Sequence, residues 1–187
     1  VKEYLSKIMS SSNHLLSLIS DILDMSRIES GKVTLEEQEA DLEAIAKELV
    51  QLVEEQARAK GLELELDFSR LRERAVFCDK TRLEQVLLNL LNNALKFTPS
   101  GGHIKFTMSQ LAQTPNGKGI YEIRVQDDGI GMGSEFVKKV FDPFERESTS
   151  TVSKIQGTGL GMAITKNIVD MMGGTIDLHT KKGEGTE

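Results

Sequence analysis

The chain has little of several things that mark other kinds of protein. Its 187 residues include one cysteine, Cys78, so an internal disulfide and a cysteine-built zinc site are both excluded, and the composition suits a reducing compartment. Tryptophan is absent, and the remaining aromatics are two tyrosines and seven phenylalanines, too few for a base-stacking platform. No run of eighteen apolar residues occurs, which excludes a membrane-spanning helix within this stretch. Positive charge is in deficit: 23 Lys and Arg against 29 Asp and Glu give a formal net charge of -6 and a pI near 5.2. That balance argues against nucleic acid or an anionic membrane as partner. The chain begins at Val1 rather than Met and reads as a soluble piece of a longer protein.

What is present suits a folded domain with an appendage. Hydrophobic residues make up 39% and charged residues 28%, ordinary values for a soluble protein. Residues 2 to 29 contain neither Gly nor Pro. Leu5, Ile8, Ser12, Leu15, Ile19, Ile22 and Ser26 step by three and four, with Met9, Leu16 and Leu23 alongside. This predicts one long helix whose apolar face is wide enough for a bundle and needs a partner helix. Gly31 is its expected stop. GKVTLEEQEA (31–40) reads as an acidic connection with a short strand at Val33 to Leu35.

Beyond it, Asp41 is placed to cap a helix with apolar positions Leu42, Ile45, Ala46, Leu49, Leu52, Val53 and Ala57, ended by Gly61. LELELDF (62–68) alternates as a strand, AVFC (75–78) is a second, and Asp79 caps a helix through Lys96. HIKFTMSQL and IYEIRVQD form an expected antiparallel pair. A short helix around Phe136 to Val140, a long polar loop over 142–158, a glycine-bounded helix GLGMAITKNIVDMMGG and a last strand opening at TIDLHT complete the pattern. The fold class is α+β: a two-layer sandwich in which helices cover one face of a mixed, mainly antiparallel sheet, preceded by a long helix.

Three stretches carry more than packing. Asn89 and Asn93 lie four apart, and Lys96 three further on, so they share a helix face. Amide oxygens suit a hard cation and a lysine suits phosphate, although an amide pair can equally satisfy backbone groups at a helix end. In VQDDGIGMG (125–133), Asp127 leaves a strand just before Gly129, Gly131 and Gly133. A carboxylate there can accept from an exocyclic amine while glycines admit a flat ring, and an ordinary turn is the competing reading. In QGTGLGMAI (156–164), Gly157, Gly159 and Gly161 open an apolar helix whose free N–H groups suit phosphate oxygens. The VQDDGIGMG stretch matches neither the dinucleotide fingerprint nor the G-K-[ST] phosphate loop.

Taken in order, these stretches resemble the catalytic and ATP-binding domain of sensor histidine kinases, in the GHKL superfamily with gyrase, Hsp90 and MutL. QVLLNLLNNALKFT (85–98) looks like the N box, VQDDGIGM (125–132) and GTGLGMAI (157–164) like the two glycine boxes, and VFDPFERE (140–147) like the phenylalanine box. KKGEGTE (181–187) resembles the last glycine-containing element. YLSKIMSSSNHLLSLISDILDMSRIESGKV (4–33) is similar to the second helix of the dimerisation and phosphoacceptor hairpin with its linker. The resemblance implies the Bergerat ATP-binding fold, with residues 1–30 the hairpin remnant, 31–40 the linker and 41–187 the catalytic domain. In the family a final strand normally follows the closing GT, so 41–187 is expected to lack its last strand.

For the site, the resemblance implies Mg2+ and ATP as cofactors, with Asn93 as the direct metal ligand. Asn89 would lie on the same metal–phosphate face and Lys96 would reach phosphate. Asp127 would accept from the adenine amine, with Gly129 and Gly131 shaping the pocket. Gly157, Thr158, Gly159, Leu160 and Gly161 would lie by the phosphates. The loop from about Asp142 to Thr158 would be a lid anchored at its start by Phe141 and Phe144, with Arg146 and Lys154 as its basic residues. Asn89 stands where water-activating relatives keep a glutamate, and an amide is no general base; this favours transfer to a nucleophile over hydrolysis. The implied nucleophile is a histidine in an H-E/D-x-R/K-T-P setting. His14, His103 and His179 all lack it, so this chain should bind ATP without phosphorylating itself. His14 is expected at the surface or bundle edge. The implied partners are a second copy, through the hairpin, and a response regulator receiver domain; the implied location is a cytoplasmic domain, with membrane attachment of the parent left open. The competing reading is a catalytically silent nucleotide-sensing or structural dimerisation module.

Overall fold

A computed structural model describes residues 2–31, 33–113, 117–147 and 157–187, with several side chains of the first helix left outside that description, His14 among them. Helix α1 runs Lys2–Glu29 and Gly31 follows with φ of 65°. Its Ile8, Met9, Leu15, Leu16, Ile19, Ile22 and Leu23 remain exposed, as the expected need for a partner helix requires. Among the described residues no helix is long and apolar enough to cross a membrane.

The strand expected at Val33 to Leu35 forms later, as β1, Gln38–Asp41. The reason is pairing: β1 lies antiparallel to β3, Ala75–Cys78, with Ala40 turned into the core. The residues before it are held instead by the bond from the Glu36 N–H to Asp79 Oδ2 at 3.0 Å.

Helix α2, Leu42–Lys60, is capped by Asp41, which accepts from the Ala44 N–H at 2.9 Å, and closes at Gly61 in the left-handed region. Leu52 is 65% exposed, and Val50 takes the place expected for it on the buried face. Helix α3, Lys80–Phe97, is capped by the buried Asp79, whose Oδ1 accepts from the Arg82 N–H.

Strand β2, Glu63–Arg70, runs parallel to β4, His103–Gln113, and β4 runs antiparallel to β5, Gly119–Asp127. The sheet continues through β7, Gly185–Thr186, to β6, Thr180–Lys181, in the order β2-β4-β5-β7-β6. The strand expected to open at TIDLHT is confined to its last residue and Lys181, preceded only by His179, whose backbone exchanges bonds of 2.8 and 2.7 Å with Glu187. Helix α4 is the single turn Ser134–Val137, and α5 spans Gly161–Met171.

Alternation along β4 sets the layers. Ile104, Phe106 and Met108 point inward and are fully buried, Phe106 at 0% exposure, which removes roughly 2–3 kcal/mol worth of aromatic surface from water. Ile45 and Leu49 of α2 and Leu87 and Leu91 of α3 pack on Phe106 and Met108. Val53, Ala57 and Leu95 pack on Ile104. A third cluster joins α3 to α5 through Val86, Leu160, Ile164 and Ile168, with Met25 of α1 against it. The opposite face of the sheet carries exposed pairs such as Lys105–Glu65 and Arg124–Glu122, which add little stability and keep that face solvated.

Candidate functional site

The face of α3 that carries Asn89, Asn93 and Lys96 is turned toward the start of α5. Asn89 Nδ2 donates to the buried Thr165 Oγ1 at 2.8 Å, and a Cβ on Gly161 would overlap Asn89 Oδ1. Asn89 is therefore pinned. Asn93 differs: its Nδ2 reaches only Met162 Sδ, at 3.4 Å. A thioether is a weak acceptor, and among the described residues the Asn93 amide oxygen has no hydrogen bond.

Lys96 points to the second glycine stretch, where a Cβ on Gly157 would come within 2.6 Å of its Nζ. The ammonium also lies 5.0 Å from the Phe97 ring centroid. Burial lowers the Lys96 pKa, and the charge of Arg146 lowers it further. Two cations thus approach each other, and no carboxylate pairs with Lys96 among the described residues, an arrangement that an anion would relieve. Leu160, at the N-cap of α5, offers no side-chain cap to that helix, so its first N–H groups face the same space with the positive end of the helix dipole. Thr158 Oγ1 accepts the Leu160 N–H at 3.1 Å and shapes the approach.

Asp127 ends β5 on the other side of Phe97. Its Oδ1 accepts the Gly129 N–H at 2.8 Å, and a Cβ on Gly129 would sit 2.7 Å from the Phe97 carbonyl oxygen. Burial raises the Asp127 pKa above the ordinary carboxylate value; N–H groups of Gly129 and Thr186 pull it down, and the charge of Asp128 adds to the rise. Gly131 has φ of 59° and is buried beneath the β6–β7 turn, where a Cβ would overlap the Lys181 carbonyl oxygen.

The structure brings Asn89, Asn93, Lys96, Gly157, Thr158, Gly159, Leu160 and Gly161 together, with Arg146 close enough to affect Lys96. Asp127, Gly129 and Gly131 form the adjoining compartment. Lys154 lies outside the described residues. Phe144 does not anchor the loop by burial, because its side chain is 67% exposed. The backbone does the tying, with the Phe144 N–H donating to Gly159 O at 2.9 Å and Phe144 itself at φ of 66°. Phe141 is half-buried, and Asn92 is exposed.

Sequence reasoning missed what α1 does here. Asp24 accepts from Gln85 Nε2 at 2.9 Å and lies 3.6 Å from the Arg82 guanidinium. Asp21 lies near the side chain of Thr158; burial is the main cause of its raised pKa, which Thr158 lowers and Asp24 raises. The helix therefore sits on the glycine stretch rather than standing apart. Nothing in the periodicity of α1 signalled this, since Asp21 and Asp24 lie off its apolar stepping positions. Asp24→Ala is expected to speed trypsin cleavage after Arg27 severalfold and to lower the melting temperature, because the Asp24 and Arg82 side chains are only 20% and 18% exposed and removing one partner leaves a mostly buried charge unpaired. Unchanged cleavage would show that Asp24 does not hold α1 in place.

Comparison with known proteins follows the same lines. Residues 78–187 match the model of the family described as histidine kinase-, DNA gyrase B-, and HSP90-like ATPases. The non-motile and phage-resistance protein of Caulobacter vibrioides is 42% identical over 185 residues, 99% of this chain and 22% of that protein. Among solved structures, full-length ShkA in complex with AMPPNP superposes with a TM-score of 0.80 at 28% identity, covering 99% of this chain and 37% of that one. Histidine kinase ThkA in complex with response regulator protein TrrA superposes with a TM-score of 0.72 at 25% identity, covering 99% of this chain and 48% of that one. The chain spans about a fifth of the length of the curated relatives it matches.

Proposed function

The chain belongs to the histidine kinase-, DNA gyrase B-, and HSP90-like ATPase family, and from that premise we propose that it is the ATP-binding catalytic domain of a two-component sensor histidine kinase. In this reading residues 1–30 belong to the dimerisation hairpin, 31–40 to the linker and 41–187 to the catalytic domain. The observation that carries it is the meeting of Lys96, which no carboxylate pairs with among the described residues, and Gly157, just ahead of the uncapped start of α5 at Gly161. That pair supplies a fixed cation and convergent N–H donors for a polyphosphate. The half-buried Asp127 carboxylate beside it suits the exocyclic amine of adenine.

The residues also fit Mg2+ in one particular way. Among the described residues no cluster of three or more His, Cys, Asp and Glu could hold a metal. The Asn93 amide oxygen is a single hard ligand, as suits an ion that takes most of its remaining ligands from phosphate and water. Magnesium bound there would neutralise charge on the phosphate oxygens. Asn89, engaged with Thr165, cannot take a proton from water. The chain's own groups hold and orient the nucleotide and exclude a base for hydrolysis, so the γ-phosphoryl is directed to a histidine in line with it. None of the chain's three histidines has the phosphoacceptor setting, so that histidine is expected outside this sequence.

By the same reading the exposed apolar face of α1 serves homodimerisation, a receiver domain of a response regulator takes the phosphoryl group onward, and the domain works in the cytoplasm. Isothermal calorimetry with Mg-AMPPNP tests the central claim. One saturable site per chain in the micromolar range is expected, with no acid-labile phosphate on the chain after incubation with labelled ATP. Absence of saturable binding in a folded sample overturns it.

A further inference from the structure

The C-terminal end of α3 poses an electrostatic problem. A helix ends in outward carbonyls and a partial negative charge, and α3 turns that end toward the cluster where Asn93 and Lys96 would meet a polyphosphate. Each of its last four carbonyls can be traced. The Ala94 oxygen accepts from the Thr98 N–H at 3.0 Å and from Thr98 Oγ1 at 2.6 Å. The Phe97 oxygen accepts from the Ile130 N–H at 3.2 Å. The Leu95 and Lys96 oxygens accept from Lys60 Nζ alone, at 2.6 and 3.1 Å, among the described residues.

Lys60 is the last residue of α2 and reaches across 35 positions of sequence to do this. Seating an ammonium there has a cost: burial lowers its pKa from the ordinary lysine value. The contact also closes one end of an open cleft of about 440 Å³ between α2 and α3, lined by Gln56, Lys60, Asn92, Leu95 and Lys96. Lys60 and Lys96 thus flank the same turn, Lys60 bonded to its backbone and Lys96 directed to Gly157.

We infer that Lys60 is a positioning residue for the nucleotide site. Its ammonium holds the final turn of α3 in register and offsets the negative end of that helix, so Lys96 and Asn93 present to phosphate without an opposing field. The inference rests on the ATP-binding reading above. It differs from a capping role alone, because the charge on Lys60 is required and its effect grows with the charge of the ligand.

The test compares the whole chain with Lys60→Met and Lys60→Arg by calorimetry against adenosine, Mg-ADP and Mg-ATP, with melting temperatures measured alongside. Lys60→Met is expected to weaken Mg-ATP about 10-fold, or about 1.4 kcal/mol, Mg-ADP less and adenosine least. Lys60→Arg, which keeps charge and donors, should return Mg-ATP affinity to within about threefold. Mg-ATP affinity within twofold of the parent in folded Lys60→Met overturns the inference. So does an equal loss for all three ligands that arginine does not rescue, since that marks a purely structural residue. If Lys60→Met does not fold, Lys60→Gln, which keeps a donor but no charge, must show the same ordering, and parent-like affinity in that variant overturns the role of charge. A parent chain that binds no nucleotide would fail the ATP reading itself, whereas binding by the parent with no change in the variants fails only this one.

Discussion

Asp127→Asn is expected to weaken ATP binding about 100-fold, or about 2.7 kcal/mol, without unfolding the domain. The Asp127 Oδ1 already accepts the Gly129 N–H at 2.8 Å. An amide in its place must keep its oxygen on that donor, which turns its NH2 toward the adenine amine and sets donor against donor. Loss of the acceptor and a buried unsatisfied donor act together. The same geometry predicts that the parent rejects GTP, whose ring presents a carbonyl where adenine presents an amine, and that the variant loses this preference. Titration of both proteins with Mg-ATP and Mg-GTP is the measurement; ATP affinity within threefold of the parent would rule out the adenine role.

The pH dependence of this variant has a definite sign. Burial raises the native pKa of Asp127 above its unfolded value, so ionising it disfavours the native state. The parent has the full benefit of a protonated Asp127 below the unfolded carboxylate pKa, and loses it as pH rises through the raised native value. An asparagine does not titrate. The melting temperature of Asp127→Asn relative to the parent should therefore rise as pH goes from 4 to 7, whatever its offset at the acid end. A relative melting temperature that falls over that range would contradict the burial-driven shift.

Gly131→Ala is expected to have the largest effect on stability. Gly131 combines a left-handed φ of 59° with burial, and its Cβ would strike the Lys181 carbonyl, with Gly185 O a further neighbour at 3.0 Å. Backbone cannot move aside as a side-chain tip can, so a cost of about 3 kcal/mol is expected from strain and overpacking together. For a domain of this size that lowers the melting temperature by roughly 6–12 °C. Gly157→Ala is the contrasting case. Among the described residues its added methyl meets only the flexible Lys96 side chain, with the ammonium at 2.6 Å, so the melting temperature should hold while Mg-ATP affinity falls. Equal thermal losses in the two variants would show that the stretches do not divide into a structural and a phosphate-facing glycine.

Most elements of the fold were legible because their signals are local. Asp41 and Asp79 each precede an apolar periodic run and cap the helices that follow. The alternation of Ile104, Phe106 and Met108 predicts the inward face of β4. The misplacements fall where pairing partners are distant. β1 forms at Gln38–Asp41 because β3, 37 residues on, supplies its ladder, and TIDLHT contributes only its last residue because pairing with the closing residues starts so late. The family resemblance implies Phe144 as an anchor of the loop, whereas its backbone N–H makes the tie and its ring stays in solvent.

The candidate site divides along the same line. Spacing along one helix places Asn89, Asn93 and Lys96 on a common face, and residue type alone distinguishes an amide from a general base at position 89. Those are properties of a 3.6-residue repeat and of functional groups, and sequence by itself determines them. Which amide is tied to Thr165 and which has, among the described residues, an oxygen without a hydrogen bond depends on the approach of α5. That Lys60 closes the end of α3, and that Asp21 reaches Thr158, depends on helices brought together by the burial of apolar side chains remote from all these groups. Packing energy is not directional and leaves no motif, so only the tertiary structure decided where the polar ends of those helices came to rest.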